Sequence, residues 1–337
     1  MKRWQFWLGL IISVVLLGLA LRRLQPAEVW QALRSAQFLW VLPGVAVYFV
    51  GVWVRAWRWH YLLRPLKRIP VRQTFPIVAI GYMGNNIYPA RAGELLRAYI
   101  LRRRHAIPIS ASLATIFVER AFDGIVMLGF VFLNLRELVA LTGNSGLAGS
   151  IRDLALWGAA AFLGATLVFL ALAAFPGRAR SLAGWFIERL VPIRGRASAD
   201  GVTERFLAGL GALRSPGDVL MVFVTSVVIW LLETGKYWFV MHAFPFQVSF
   251  FALMLMNGIV NLATTLPSAP GYVGTFDAPG IAILSAYGVT PEIAAGYTLL
   301  LHAALWLPIT LLGAYYMARE SLHWTEVQAE LQAEAPT

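Results

Sequence analysis

Cysteine is missing from all 337 residues, and charge is scarce, with only 13% of the chain Asp, Glu, Lys or Arg. The first absence excludes disulfides, thiol nucleophiles and cysteine metal sites. The second excludes an ordinary soluble domain, in which about 25% of residues are charged. Histidine is scarce as well. The five present are scattered, with no two at a metal-ligand spacing, so neither a metal nor a cofactor is expected. Gly271-x-x-Gly274 lacks the Lys-Ser/Thr partner of a phosphate loop. No local motif suggests a Ser, His and Asp set.

What is abundant is apolar. Hydrophobic residues make up 59% of the chain, and mean hydropathy is +0.67. Lipid must be the solvent for much of this surface. The formal net charge of +11 comes from 28 basic and 17 acidic residues. The cations sit mainly between apolar runs, which points to anionic lipid headgroups as partners and not to nucleic acid.

Six apolar runs are long enough, or nearly so, to span a bilayer: Trp4–Leu21, Phe38–Trp57, Ser110–Leu135, Leu154–Phe175, Val219–His242 and Ile293–Met317. A span needs about 20 residues. The first is too long for a signal-peptide core and is read as a retained helix.

Two further apolar stretches are interrupted. Thr74–Leu101 is broken around Gly81, Gly84, Asn85, Asn86, Pro89 and Gly93. Phe250–Leu284 is broken around Asn257, Asn261, Pro267, Pro270, Gly271, Gly274 and Pro279. Broken backbone at membrane depth persists only where protein or a wet cavity satisfies it. Both stretches are expected to form re-entrant helical hairpins; two short spans apiece is the other reading.

The expected fold is therefore all-α and polytopic, with about six transmembrane helices and two re-entrant hairpins. The inside segments of this topology are the N-terminus, Arg55–Arg72, Arg97–Arg104, Arg178–Arg214 and the tail from Arg319, and together they hold 20 of the 28 basic residues. That asymmetry puts the N- and C-termini in the cytoplasm, as expected for a cytoplasmic (inner) membrane. Arg22, Arg23 and Arg34 fall outside and do not fit. The plan span, hairpin, span occurs twice, over about 38–135 and about 219–317, in opposite orientations. This makes one domain, an inverted repeat, joined by a basic cytoplasmic connector over about 176–216. In the connector, Trp185, Phe186 and Leu190 beside Arg189 are read either as a helix lying on the membrane surface or as an ordinary basic link.

Ionisable residues inside spans are candidate functional groups. Glu119 and Asp123 are i,i+4 and share a helix face, and Arg120 is i,i+3 from Asp123's register. They form either a self-neutralising cluster or a ligand site. Glu233 and Lys236 pose the same choice, with Lys236 snorkelling towards the outer interface in the simpler reading. His302 is expected to be a packed or hydrogen-bonded core residue. On the first hairpin, Arg91 and Arg97 are suited to a phosphate, with Glu94 as their counter-charge. The second hairpin offers neutral groups, among them Asn257, Asn261, Thr264, Thr265 and Thr275, plus Asp277.

Three motifs carry a resemblance. They are Asn85-Asn86-Ile87-Tyr88-Pro89-Ala90-Arg91-Ala92-Gly93-Glu94-Leu95-Leu96-Arg97, Glu119-Arg120-Ala121-Phe122-Asp123, and Leu266-Pro267-Ser268-Ala269-Pro270-Gly271-Tyr272-Val273-Gly274-Thr275-Phe276-Asp277. In this order they resemble the signatures of the lysylphosphatidylglycerol synthase transmembrane, or flippase-like, family. Asp277 stands where that family often has Glu. The resemblance implies a lipid flippase-like domain with two facing re-entrant hairpins. Some members carry a fused aminoacyl-transferase domain. This chain ends soon after its last span, so it is expected to lack that domain and not to make lysyl lipid itself.

The expected function is movement of an amphipathic lipid, anionic or polyprenyl-phosphate, through a groove between the hairpins. Asn85, Asn86, Arg91, Glu94, Arg97, Glu119, Arg120, Asp123, Asn261, Thr265, Thr275 and Asp277 would meet the headgroup. The alternatives are an intramembrane lipid-modifying enzyme, with Glu119 or Asp123 as base, or a non-transporting partner of a lipid-synthesis enzyme.

Overall fold

A computed structural model describes residues 10–18, 24–88, 91–142, 147–265 and 268–319. Among these residues the fold is all helical, with no strand. Chain order begins with α1 (residues 10–18), α2 (Pro26–Arg34), α3 (Val41–Leu63), α4 (Val71–Ile87), α5 (Ala92–His105) and α6 (Ile109–Thr142). α7 (Leu147–Ala174) follows, and the connector then forms α8 (Pro176–Leu190) and α9 (Ile193–Gly209). The second half holds α10 (Pro216–Met241), α11 (Phe250–Ala263), α12 (Asp277–Ala286) and α13 (Pro291–Arg319).

Four segments are long and apolar enough to cross a membrane: Phe38–Leu63, Leu156–Ala174, Pro216–Met241 and Pro291–Arg319. They match four of the six expected spans. Of the first expected span, Trp4–Leu21, residues 10–18 are described and form α1, and the rest lies outside the described residues. The remaining one is α6, with 34 residues and three ionisable groups in its first half. At 1.5 Å per residue it is about 51 Å long, well beyond a hydrocarbon core of about 30 Å. It runs past Arg136, where a loop was expected.

Both interrupted stretches are helix pairs. α4 and α5 have 17 and 14 residues, and α11 and α12 have 14 and 10, all short of the roughly 20 residues of a span. α4 stops because Tyr88 precedes Pro89 and takes an extended backbone (φ −103°, ψ 144°). Arg91 then turns left-handed (φ 53°) and α5 begins. The two helices pack antiparallel through bare backbone. A Cβ on Gly84 would lie 2.7 Å from Gly93 Cα, and one on Gly93 would overlap the Gly81 carbonyl outright. Lys67 Nζ donates to the His105 carbonyl at 3.1 Å, holding the two open ends together. In the second pair, Ser249 Oγ caps α11 by accepting from Ala252 N at 3.0 Å. Gly271 (φ 75°) and Gly274 (φ 81°) carry the left-handed turns before α12, as only glycine does at little cost. Ser13 of α1 closes over that turn, its Oγ accepting from Ala269 N at 2.8 Å. Pro89 and Pro267 lie outside the described residues.

The helices pack by exchange. α3 lies against its counterpart α10; α4 packs on α13, and α11 packs on α6. Swapping each helix of residues 38–142 with its counterpart in residues 216–319 reproduces the main helix contacts, the slight one between α6 and α12 excepted. α3 and α10 run antiparallel. Gly44 of α3 meets Val240, Gly51 meets Leu232, and Gly235 of α10 meets Val47. Such small residues let membrane helices approach closely.

One boundary differs from the sequence reading in a way that matters. The sequence placed Arg55 and Arg58 in the cytoplasmic segment Arg55–Arg72. In the structure α3 continues to Leu63, and both arginines are buried, at 7% and 1% exposure. No Gly or Pro falls between Val52 and Arg64, so nothing in the chain stops the helix there.

Candidate functional site

Charge pairs cross-link α3, α5, α6 and α10 at the centre of the fold. Arg58 forks onto Asp123, at 2.6 and 3.2 Å, and also donates to Ser226 Oγ at 2.7 Å. Trp230 Nε1 donates to the same Asp123 Oδ1 at 3.0 Å. Arg97 donates to Glu119 at 3.0 Å, with its guanidinium 4.1 Å from the Trp59 ring centre. Arg55 donates to Glu233 at 2.7 Å, and Lys236 pairs with the other Glu233 oxygen. Lys236 does not snorkel: it is 3% exposed and lies 4.4 Å from the Tyr48 ring centre. The i,i+4 spacing of Glu119 and Asp123 does put both on one face, where two different arginines receive them.

Beside this network is a polar cavity of about 140 Å³, lined in part by Arg55, Arg91, Arg120, Lys236 and Glu233. Asn85, Asn86, Asn261, Tyr82 and Tyr272 also face it. A second pocket of about 100 Å³ shares Arg91, Arg120, Trp230, Asn261 and Thr264, and adds Asp123 and Thr265. Arg91 joins the two helix pairs across this space, donating to the Thr264 carbonyl at 3.2 Å. Glu94 lies 3.8 Å from both Arg91 and Arg120, and Arg120 lies 3.6 Å from Asp123.

On the other side, the polar cavity meets an open groove of about 570 Å³. Asn86, Gly271, His302 and Trp306 line both. The rest of the groove is apolar, with Ile87, Pro270, Val273, Leu299 and Ala303. Asn86 is fixed there by donating to Thr310 Oγ1 at 2.9 Å. His302 has an acceptor at each ring nitrogen: Asp277 Oδ1 at 2.8 Å and the Gly271 carbonyl at 2.7 Å. It is hydrogen-bonded and partly buried, as expected.

The residues singled out by sequence thus divide. Asn85, Asn86, Arg91, Arg120, Asn261 and Gly271 line the polar cavity, and Thr265 and Asp123 line the pocket beside it. Arg97 and Glu119 lie behind, paired with each other. Thr275 is fully buried and donates to the Tyr272 carbonyl, and Asp277 accepts from Gly274 N at 2.9 Å. Neither faces the cavity. Gly93, Gly271 and Gly274 hold close backbone approaches or left-handed turns. Pro270 opens a short 3₁₀ turn at the groove's edge. Sequence reasoning missed Tyr48, Arg55, Arg58, Tyr82 and Trp230 as parts of the site. For the arginines the signal was the uninterrupted helix; for the aromatics there was none.

A "Glycosyltransferase AglD" of Haloferax volcanii is 28% identical over 322 residues, covering 88% of this chain and 51% of that protein. The chain therefore spans about half the length of that relative. A "UPF0104 membrane protein" of Methanothermobacter thermautotrophicus is 25% identical, covering 86% of this chain and 88% of the relative. "UPF0104 membrane protein MJ1595" of Methanocaldococcus jannaschii is also 25% identical, over 76% of this chain and 77% of its own. The sequence model described as "Lysylphosphatidylglycerol synthase TM region" matches residues 6–313. This multi-pass membrane protein belongs to the lysylphosphatidylglycerol synthase transmembrane-region family.

Proposed function

We propose that the protein moves an amphipathic lipid between leaflets, its headgroup in the polar cavity and its tails in the adjoining groove. The observation that carries this reading is the junction at Asn86, Gly271, His302 and Trp306. There a cation-rich cavity opens directly into an apolar, open groove. A lipid has that division of polarity, and a water-soluble substrate has no use for the groove. The exchanged packing and the antiparallel α3 and α10 support an inverted repeat, whose broken helices meet at a shared central site. Arg91 and Arg120 engage the headgroup's acidic part, and Asn85, Asn86 and Asn261 its neutral part. The relative named a glycosyltransferase favours lipid-linked sugars among the substrates to be tried first.

The test is the purified chain in liposomes with labelled lipid in one leaflet. Redistribution without new products is the expected result. A change of lipid mass would favour the enzyme reading, and neither outcome would leave a partner of a lipid-synthesis enzyme.

The helix pairs are re-entrant in this reading, each with its two open ends on the same face, which for α4 and α5 is the cytoplasmic one. Because the chain has no cysteine, each introduced one is unique. Arg68→Cys and Arg103→Cys, both exposed, should label from the cytoplasmic face. Ile87→Cys, near the α4–α5 tip, should resist an impermeant reagent applied from the other face. Rapid labelling of the tip from that face would make α4 and α5 full spans and remove the re-entrant topology.

A further inference from the structure

The charges around the polar cavity do not balance. Among the described residues, six cations line or back it: Arg55, Arg58, Arg91, Arg97, Arg120 and Lys236. Four carboxylates answer them, Glu94, Glu119, Asp123 and Glu233. The excess is two positive charges. His302 and Asp277 add nothing to it. Asp277 does not line the cavity, and with its hydrogen-bonded partner His302 it forms a separate pair outside the count. Four of these cations hold buried donors without a hydrogen-bond partner, and two of them, Arg55 and Arg120, both through Nε, line the cavity.

Uncompensated charge at such depth is costly, and a bound anion of matching charge relieves it. On the reading of this cavity as the headgroup site, we infer that the lipid carries two negative charges there, as a terminal phosphate. A phosphodiester such as that of phosphatidylglycerol supplies one charge and leaves the other cation unanswered. An aminoacylated headgroup adds an ammonium to a site that already has too many cations. The terminal phosphate is the shared chemistry of two lipid sources, a diacylglycerol phosphate and a polyprenyl phosphate. The groove accepts an apolar tail of either kind.

The experiment measures dissociation constants for the purified full chain in detergent at pH 8. The probes are dioleoyl phosphatidic acid, undecaprenyl phosphate, dioleoyl phosphatidylglycerol and its lysyl ester. At least one terminal phosphate lipid should bind about tenfold or more tighter than phosphatidylglycerol, a conservative allowance for one added charge near two buried cations. The tighter of the two names the tail class. Equal or tighter binding of phosphatidylglycerol or its lysyl ester overturns the assignment.

Two variants shift the balance in opposite directions. Glu94→Gln is isosteric, removes one acid and raises the excess to three, so the preference for the terminal phosphate should widen. Arg120→Gln lowers the excess to one, so the preference should narrow. If Arg120→Gln does not fold, Glu94→Gln carries the test alone, and an unchanged or narrowed preference in it overturns the assignment. Failure of this inference and of the transport reading look different. Preferred binding without movement in liposomes sinks transport alone. Equal movement of phosphatidylglycerol and both phosphate lipids sinks the charge assignment alone.

Discussion

Arg58→Ala is expected to destabilise the protein by roughly 3–5 kcal/mol, the usual cost of stranding a buried charge by removing its partner. Arg58 is 1% exposed, and it gives Asp123 both arms of its guanidinium while holding Ser226 with one of them. Without it Asp123 keeps Trp230 Nε1 and the longer approach of Arg120, which is too little for a carboxylate 1% exposed. Arg58→Lys preserves the charge but not the planar fork, so it should recover only part of the loss. Combining Arg58→Met with Asp123→Leu removes both charges and should be far milder than Arg58→Ala. Thermal unfolding in detergent measures all three. The account fails if Arg120→Ala, which touches the same acid from 3.6 Å, proves the more damaging change.

Gly93→Leu should abolish transport and sharply lower stability, and even Gly93→Ala should do measurable harm. The new Cβ would overlap the Gly81 carbonyl and sit 2.7 Å from Asn85 N. Both neighbours are backbone in a helix, so neither rotates away, and α4 and α5 must part. Overpacking of this kind costs about 1–3 kcal/mol or more. Parting them also displaces Asn85 and Asn86, which line the cavity from the last turn of α4. Gly164 provides the contrast, since a Cβ there meets nothing within 4 Å. Gly164→Ala should therefore match wild type in both assays. Equal stability of Gly93→Ala and Gly164→Ala would show that α4 and α5 are not packed as described.

Much of this was legible in the sequence, for identifiable reasons. Pro89, Gly93, Pro270 and Gly271 mark breaks because proline and glycine act on the backbone at their own positions. α4 and α5 do end and begin beside the first two, and Pro270 and Gly271 lie in the stretch between α11 and α12. Glu119 and Asp123 share a face because helical periodicity fixes it. The partners of those acids were not legible. Arg58 and Asp123 are 65 positions apart, and only tertiary packing brings them together. Arg55 and Arg58 misled for a physical reason. A basic residue after an apolar run looks the same whether it meets headgroup water or turns inward to a carboxylate from another helix. Thr275 and Asp277 were read as ligands because they are polar in an apolar stretch. Each instead answers backbone, at Tyr272 and Gly274, in the turn that precedes α12.

The exchanged packing has a consequence for the order in which the protein can be made. As residues 38–142 leave the ribosome, α4 has no partner for the face that Gly313 of α13 will fill against Met83. α6 likewise waits for α11, which brings Gly258 against Val131 and Phe130. Asp123 waits for Trp230, and Arg55 for Glu233. The first half therefore enters the membrane as an incomplete object, with a charged seam and two open helix faces. It closes only when the last helix arrives. A chain cut in the connector should yield two fragments that are each short-lived alone and persist when made together.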